Sequence, residues 1–316
     1  MIVSIIIPCF NVEEYIDSSI KSAIQQTYRP IEVIAVDNNS TDSTFSILQK
    51  WKKKYPDLIT LLQEKKQGAP AARNKGLSVA KGEWIQFLDA DDLIYPDKIK
   101  SQFKLVEPLI QLIVGAFHIR KLSGEIMPVK IDNKQNPIFS IFSGGGSFGI
   151  TSANLWKKSA VIAAGSWDES LTSNQEYELM FRMILTEEKA VISNNNLTCI
   201  NRRVSGQITT KNPVDYAEQS LILRLEMLEK LNRMMPELTT QHFNFFENII
   251  YSYIRLLTNI DLQKGIFYFY NYFGIRNFIP DANMPGNSKW NLTAIKYLGY
   301  RRTEKLRFMI KKFYKN

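Results

Sequence analysis

A chain of 316 residues, 45% of them hydrophobic, exceeds one typical domain and supplies a sizeable core, which suits one main domain plus an appendage. Its only two cysteines, Cys9 and Cys199, exclude a disulfide framework and point to a reducing, cytoplasmic compartment, and no basic leader segment precedes the first apolar run. The net charge of +9 collects near the C-terminus, and the best candidate for a membrane span, Gly265 to Ile275, is shorter than the roughly 20 residues a crossing helix needs.

Val3-Ser4-Ile5-Ile6-Ile7-Pro8 is an apolar, β-branched run closed by proline, and it reads as a buried strand of the parallel-sheet kind. From Asn11, an N-cap residue type, a helical pattern sets Ile16, Ile20, Ala23 and Ile24 on one face. Ile31 to Asp37 is a second strand that ends in a carboxylate. A polar loop from Asn38 to Thr44 leads into a helix marked by Phe45, Leu48 and Trp51, and Leu58 to Leu62 forms a third strand. The stretch from Gln67 through Arg73 to Leu77 passes through a helix into a fourth strand, Trp84 to Leu88. This alternation predicts an α/β fold with a mostly parallel sheet flanked by helices.

The fourth strand runs into Asp89-Ala90-Asp91-Asp92, three carboxylates in four positions. They lie at the carboxyl edge of the sheet, where open α/β folds bind ligands. Clustered acids repel one another and are costly to desolvate without a cation. A hard divalent ion, which takes one or two carboxylates plus substrate phosphates, would resolve that repulsion. Taken alone, an Asp-x-Asp reads as a solvated acidic turn. Here a second strand of the same sheet also ends in an acid, Asp37.

Ile5-Ile6-Ile7-Pro8-Cys9-Phe10-Asn11, Val36-Asp37-Asn38-Asn39-Ser40-Thr41-Asp42, Ala72-Arg73-Asn74-Lys75-Gly76 and Leu88-Asp89-Ala90-Asp91-Asp92 resemble, in order and spacing, successive blocks of the family 2 glycosyltransferases. The resemblance implies a GT-A fold over roughly residues 1–210, a helical extension over 211–316, inverting chemistry and a nucleotide-sugar donor. It implies donor contacts from Pro8, Phe10, Asn11, Glu13, Asp37, Asn39, Arg73, Asp89, Ala90 and Asp91. It also implies Mn2+ or Mg2+ held by Asp91 and Asp89, with Asp92 in the same cluster. A carboxylate at position 37 that accepts the N3–H of uracil favours UDP or dTDP over GDP.

A fifth block carries the chemistry. Ala164-Gly165-Ser166-Trp167-Asp168-Glu169-Ser170-Leu171 resembles the family's Gly-Gly-Phe-Asp-Glu segment, with Trp167 at the aromatic position. Gln175-Glu176 stands where many relatives carry Glu-Asp, whose second acid is the general base, so Glu176 is the implied base. The other reading makes Glu176 a surface acid favoured by the dipole at a helix start. Glu178 would face elsewhere on that helix, and Asp168 and Glu169 read as capping or acceptor-loop residues. Cys9, beside the implied pocket, reads as packing rather than as a nucleophile. Many relatives place a histidine downstream, but Asn201 to Gln207 has none, so Arg202 or Arg203 would contact the diphosphate instead. Gly144-Gly145-Gly146-Ser147 is either a flap over the donor or a plain inter-strand loop.

Beyond Pro213 the pattern turns helical, Asp215 to Leu231 and then roughly 238–262, with Ile222, Leu225, Leu228 and Leu231 as the core stripe of the first helix. The second carries Phe246, Ile249, Ile250, Tyr253 and Leu257 on its core face, and the aromatics after Gly265 read as core of a helical bundle. Residues 289–316 hold nine cations and one acid, interleaved with Trp290, Leu298, Phe308, Phe313 and other apolar residues. Two readings stand: a peripheral helix on the anionic inner face of the cytoplasmic membrane, or a helix packed on the catalytic domain with a solvated basic face. No nucleic-acid motif accompanies the charge.

The function implied is metal-dependent transfer of a sugar to a hydroxyl of a saccharide or lipid-linked acceptor, in cell-surface polysaccharide or glycan synthesis. The alternative is a non-catalytic nucleotide-sugar-binding subunit. A nucleotidyltransferase would carry a glycine-rich, basic loop after the first strand, which Pro8 to Glu13 lacks.

Overall fold

The β-branched runs near the N-terminus form the middle of a sheet because they are apolar on both faces and need cover on both. β1 (Val3–Cys9) pairs in parallel with β2 (Ile31–Asp37), and β2 with β3 (Ile59–Gln63). On its other side β1 pairs in parallel with β4 (Trp84–Phe87). The connecting helices are α1 (Ile16–Ile24), α2 (Thr44–Lys54) and α3 (Ala69–Val79). The computed structural model describes residues 1–132, 134–144, 148–185, 189–202, 212–274, 278–282 and 289–313. The chain divides into two units, Met1–Ser205 and Gly206–Asn316.

The rest of the first unit adds β5 (Leu93–Ile94), α4 (Lys98–Phe103), β6 (Ile110–Gly115), β7 (Phe117–Arg120), β8 (Ile126–Val129) and α5 (Pro137–Ser143). β9 (Leu155–Lys157), α6 (Lys158–Ala163), α7 (Gln175–Ile184), β10 (Lys189–Ser193) and β11 (Thr198–Asn201) follow. The seven-stranded sheet runs β10-β6-β9-β4-β1-β2-β3, and a four-stranded sheet runs β5-β11-β7-β8. The large sheet is parallel except at β9, which is antiparallel to both β4 and β6. The core beneath it is built from β1, β2 and α1, with Ile5, Ile7, Val33, Ala35, Ile16 and Ile20 all buried.

The first helix departs from its expected start. Asn11 does not cap it: the residue is left-handed (φ 48°), its Oδ1 accepts from the Thr41 N–H at 2.8 Å, and α1 begins at Ile16 after Tyr15, which makes no side-chain cap. The asparagine instead joins the loop after β1 to the loop after β2.

Gly76 explains why α3 lies so close to the sheet. A Cβ there would meet Ile6 Cγ2 of β1 at 2.5 Å and Val36 Cγ2 of β2 at 3.4 Å. Gly76→Ala is therefore expected to destabilise the first unit by about 1–3 kcal/mol, the usual cost of overpacking. A melting temperature equal to the parent's would show that Ile6 yields freely.

The second unit comprises α8 (Pro213–Met234), α9 (Pro236–Gln241), α10 (Phe243–Ile260), α11 (Leu262–Phe273) and α12 (Lys289–Phe313). Asn212 caps α8 by accepting from the Asp215 N–H. The stripe expected on α8 is displaced: Ile222 is 38% exposed, while Leu221, Arg224, Leu228 and Leu231 are buried. The single helix expected over 238–262 is broken at His242 into α9 and α10. The aromatic run is α11, with Ile266, Phe269 and Phe273 buried. α12 is kinked at Gly299 (φ 74°) and buries Ile295, Tyr300, Thr303 and Glu304. Tyr300 stacks on Phe269 at 3.8 Å and shares a 2.7 Å hydrogen bond with Thr258, so one face of the basic helix packs within its own unit. Tyr297, Leu298 and Phe308 on the remaining surface are exposed, as are Lys296, Arg301, Arg302 and Lys305. The side chains of Trp290 and Phe313 lie outside the description. Among the described residues no helix is long and apolar enough to cross a membrane.

Candidate active site

The acid loop hangs from the end of β4 and is braced from behind. Ser152, fully buried, accepts the Asp89 N–H at 3.0 Å and donates to Asp92 Oδ2 at 2.7 Å. From β11, Asn201 donates its side-chain amide to the Asp91 carbonyl at 2.5 Å and its N–H to Asp92 Oδ1 at 3.3 Å. Asp92 is only 4% exposed, and burial, with the charges of Asp91 and Asp89 behind it, holds its carboxyl well above the usual carboxylate range. Asp92 therefore serves the loop's shape, and Asp89 and Asp91 stand at its half-buried edge with Ala90 packed beneath.

The nucleotide side is formed where β1 and β2 end in register, Cys9 opposite Asp37 and Pro8 opposite Val36. Asp37 is 2% exposed, and its Oδ1 is buried with no hydrogen-bond partner. Asn38 fixes the wall behind it by donating to the Glu64 and Lys66 carbonyls (2.8 and 2.7 Å) and accepting the Gly68 N–H (2.7 Å). Asn39, left-handed at φ 63°, donates to the Lys65 carbonyl. Phe10 is 45% exposed at the mouth. Glu13 turns to the start of α2, where it accepts the Ser43 N–H at 2.8 Å. Cys9 is fully buried; burial, and then the charge of Asp37, push its thiol far up, which leaves it a packing residue.

Arg73 joins this region to the segment that carries Glu176. It is 5% exposed, donates through Nη2 to Asp89 Oδ1 at 2.7 Å and through Nη1 to Gln175 Oε1 at 2.8 Å. Its guanidinium lies 4.5 Å over the Trp167 ring, which stands edge-on to Phe87 of β4 at 5.0 Å. The neighbouring Asn74 clasps Trp167 by accepting its N–H (3.1 Å) and donating to its carbonyl (2.9 Å) and to Glu169 (2.8 Å). Glu176 follows Gln175 in the first turn of α7 and is half-buried. The acids around it are committed: Glu178 pairs with Arg182 at 2.6 Å, Asp168 caps Ser170, and Glu169 pairs with Lys66 at 2.6 Å. Arg73 Nε and Trp167 Nε1 are buried without a hydrogen-bond partner, as is Asp37 Oδ1. Of the seven such atoms among the described residues of the first unit, these three belong to the residues that border the acid loop and the end of β2, where a polar ligand would satisfy them.

The sequence matches the glycosyl transferase family 2 over residues 4–155. An uncharacterized glycosyltransferase of Rickettsia typhi is 30% identical over 245 residues, 73% of each chain. The chain belongs to the family 2 glycosyltransferases. A UDP-Glc:alpha-D-GlcNAc-diphosphoundecaprenol beta-1,3-glucosyltransferase of Escherichia coli is 41% identical over 106 residues, 34% of this chain and 41% of that one. Among solved structures, S. aureus TarS 1-349 in complex with UDP-GlcNAc superposes with a TM-score of 0.62 at 16% identity, covering 96% of this chain and 91% of TarS. A mannosyltransferase from Pyrobaculum calidifontis in complex with GDP-Man and Mn2+ gives 0.56 at 16% identity, over 98% and 87%. The fold of this glycosyltransferase is thus GT-A-like, with a central sheet flanked by helices and a helical C-terminal region.

The donor set at the acid loop fits a hard divalent ion. It consists of oxygens, and Asp91 with Asp89 at the half-buried edge supplies the one or two carboxylates such ions take beside phosphates. Among the described residues no three His, Cys, Asp or Glu side chains converge on a point, so a protein-only cage is not offered there. Arg202 is exposed at the end of β11, and Arg203 and residues 145–147 of the glycine run lie outside the described residues. Ser152, Asn201, Asn38 and Gln175 escaped the sequence reading. The glutamine had a signal, since it is adjacent to the implied base.

Proposed function

We propose that this glycosyltransferase moves a sugar from a UDP-sugar, with inversion, to a hydroxyl of a saccharide or lipid-linked acceptor in cell-surface glycan synthesis. The observation that carries the donor assignment is Asp37 Oδ1, a buried carboxylate oxygen with no partner at the joined ends of β1 and β2. It suits the imide N–H of uracil or thymine; Cys9 stands opposite it in register, with Pro8 and Phe10 on either side of Cys9 in the chain and Asn11 next after Phe10. Asp89 and Asp91 would hold the divalent ion, whose chemistry is Lewis-acid neutralisation of charge on the diphosphate. Glu176 accepts the proton of the acceptor hydroxyl as its oxygen bonds to the anomeric carbon. The bond from that carbon to the β-phosphate oxygen breaks on the opposite face, and the nucleoside diphosphate departs. A single displacement needs no second catalytic carboxylate. The E. coli relative named for a diphosphoundecaprenol acceptor supports a lipid-linked substrate.

The test is nucleotide release from UDP-, dTDP- and GDP-sugars with Mn2+ or Mg2+. Release from UDP- or dTDP-sugars is expected. Turnover of GDP-sugars alone would overturn the assignment at Asp37, and donor binding without turnover on any acceptor would favour the non-catalytic subunit.

In the same reading residues 1–210 carry the donor chemistry and the exposed face of α12 rests on an anionic bilayer. Lys296, Arg301, Arg302 and Lys305 attract lipid headgroups at about 1 kcal/mol each, while Tyr297, Leu298 and Phe308 enter the interface. Because Tyr300 and Glu304 face inward, surface substitutions test this better than deletion. Arg301→Glu, Arg302→Glu and Lys305→Glu together should release the protein from anionic vesicles at low salt and leave its melting temperature and donor hydrolysis unchanged. If the parent stays in the supernatant with anionic vesicles at low salt, the basic face is merely solvated.

A further inference from the structure

Arg120 closes β7 and has no part in the donor site as described. Its backbone is in register with Asn201 of β11, the residue that holds the Asp91 carbonyl and the Asp92 carboxylate. Neighbours in register across a parallel pair share a face, and Cys199 Sγ lies 3.9 Å from Asn201 Oδ1 on that face. The Cys199 thiol, raised by burial, is also lowered by the charge of Arg120 and raised by that of Asp92. The Arg120 guanidinium therefore lies on the acid-loop side of the small sheet.

It nevertheless makes no hydrogen bond or ion pair with any described residue. Asp92 is satisfied by Ser152 and Asn201, and Asp89 is paired with Arg73. Arg120 is half-buried, so part of its guanidinium is shielded from water without a protein partner among the described residues to replace it. Exposed Arg202, whose N–H donates to the Arg120 carbonyl at 2.9 Å, adds a second cation at the same edge. A five-donor planar fork left open beside a cluster of acids matches a phosphate, which it grips with two parallel hydrogen bonds.

We propose that Arg120 binds a phosphate group at the open edge of the acid loop, from the donor's diphosphate or from the phosphate linkage of a lipid-linked acceptor. The inference rests on the transferase reading only for the source of the phosphate.

The experiment is calorimetry of full-length parent, Arg120→Ala and Arg120→Lys with UDP and with geranyl diphosphate, in Mn2+ buffer. Uridine and geraniol serve as phosphate-free controls. Arg120→Ala should weaken at least one of the two diphosphates by about 10–100-fold, the worth of hydrogen bonds to a charged group, and leave both controls unchanged. Loss confined to UDP assigns the donor, and loss confined to geranyl diphosphate assigns the acceptor. Arg120→Lys, which keeps the charge but not the fork, should recover only part of the loss, and it carries the test if the alanine variant melts below the assay temperature. Unchanged affinity for both diphosphates, or a parent that binds neither, overturns the proposal. A parent that binds geranyl diphosphate through Arg120 but ignores UDP would sink the donor assignment and leave this one standing.

Discussion

Glu176→Gln is expected to lower kcat by about 10²–10⁴-fold, the usual contribution of a general base, while UDP affinity stays at the parental value. The amide keeps the size of the side chain and cannot take the acceptor's proton. The effect should approach the upper end of that range because the neighbouring acids among the described residues are already engaged. Glu178 is held by two 2.6 Å bonds from Arg182, and Asp168 is engaged by Ser170. The hydrogen bond of Ser170 in turn keeps the Asp168 carboxyl below its ordinary value, a poor base at neutral pH. Gln175 is expected to stay on Arg73, so the donor side should not register the change. Transfer to an identified acceptor, followed across pH, checks this: the acidic limb of the parental profile should vanish with the activity. Near-parental transfer would remove Glu176 from the role.

The second large effect belongs to Asp91→Ala. Loss of a mere supporting partner costs metal sites roughly 10–100-fold in affinity, so loss of a ligand should cost at least that, and the Mn2+-dependent part of UDP binding should disappear. The fold should survive, because Asp91 sits at the half-buried rim and the bond it receives from Asn201 goes to the backbone carbonyl, which alanine keeps. Asp92→Ala provides the contrast: it strips Ser152 and the Asn201 N–H of their acceptor in a buried setting and should lower the melting temperature. UDP titrations with and without Mn2+ separate the two variants. Equal metal-dependent affinity in Asp91→Ala and parent would refute the assignment.

The large sheet's first four strands were legible because each is an apolar run of four to seven residues ended by proline, acid or polar loop, and the structure places them at Val3–Cys9, Ile31–Asp37, Ile59–Gln63 and Trp84–Phe87. The small sheet was not. Its β5 has two residues, too short to show any period, and the three-residue β9 of the large sheet was missed for the same reason. Ile126 and Met127 of β8 are exposed, which removes the burial contrast on which strand reading depends. Around the site, residues with strong chemistry were visible by type, and those that act through backbone groups were not. Ser152 and Asn38 are ordinary polar residues in sequence; only the fold reveals that one holds two acids and the other three backbone groups. Asn11 misled for a related reason: the same side chain that caps helices also bridges loops, and tertiary contact decided between them.

Arg73 and Asn74 stand side by side on α3, yet one reaches Asp89 and Gln175 and the other grips Trp167 and Glu169, about a hundred residues downstream. For chimeras between relatives this defines the unit of exchange. A graft of residues 164–182 that ignores α3 would set a foreign turn against the wrong clasp and should fold poorly or bind donor poorly. A graft that carries positions 73 and 74 along with it keeps the alignment, and new acceptor preferences could then be installed as a cassette without disturbing the nucleotide end of the molecule.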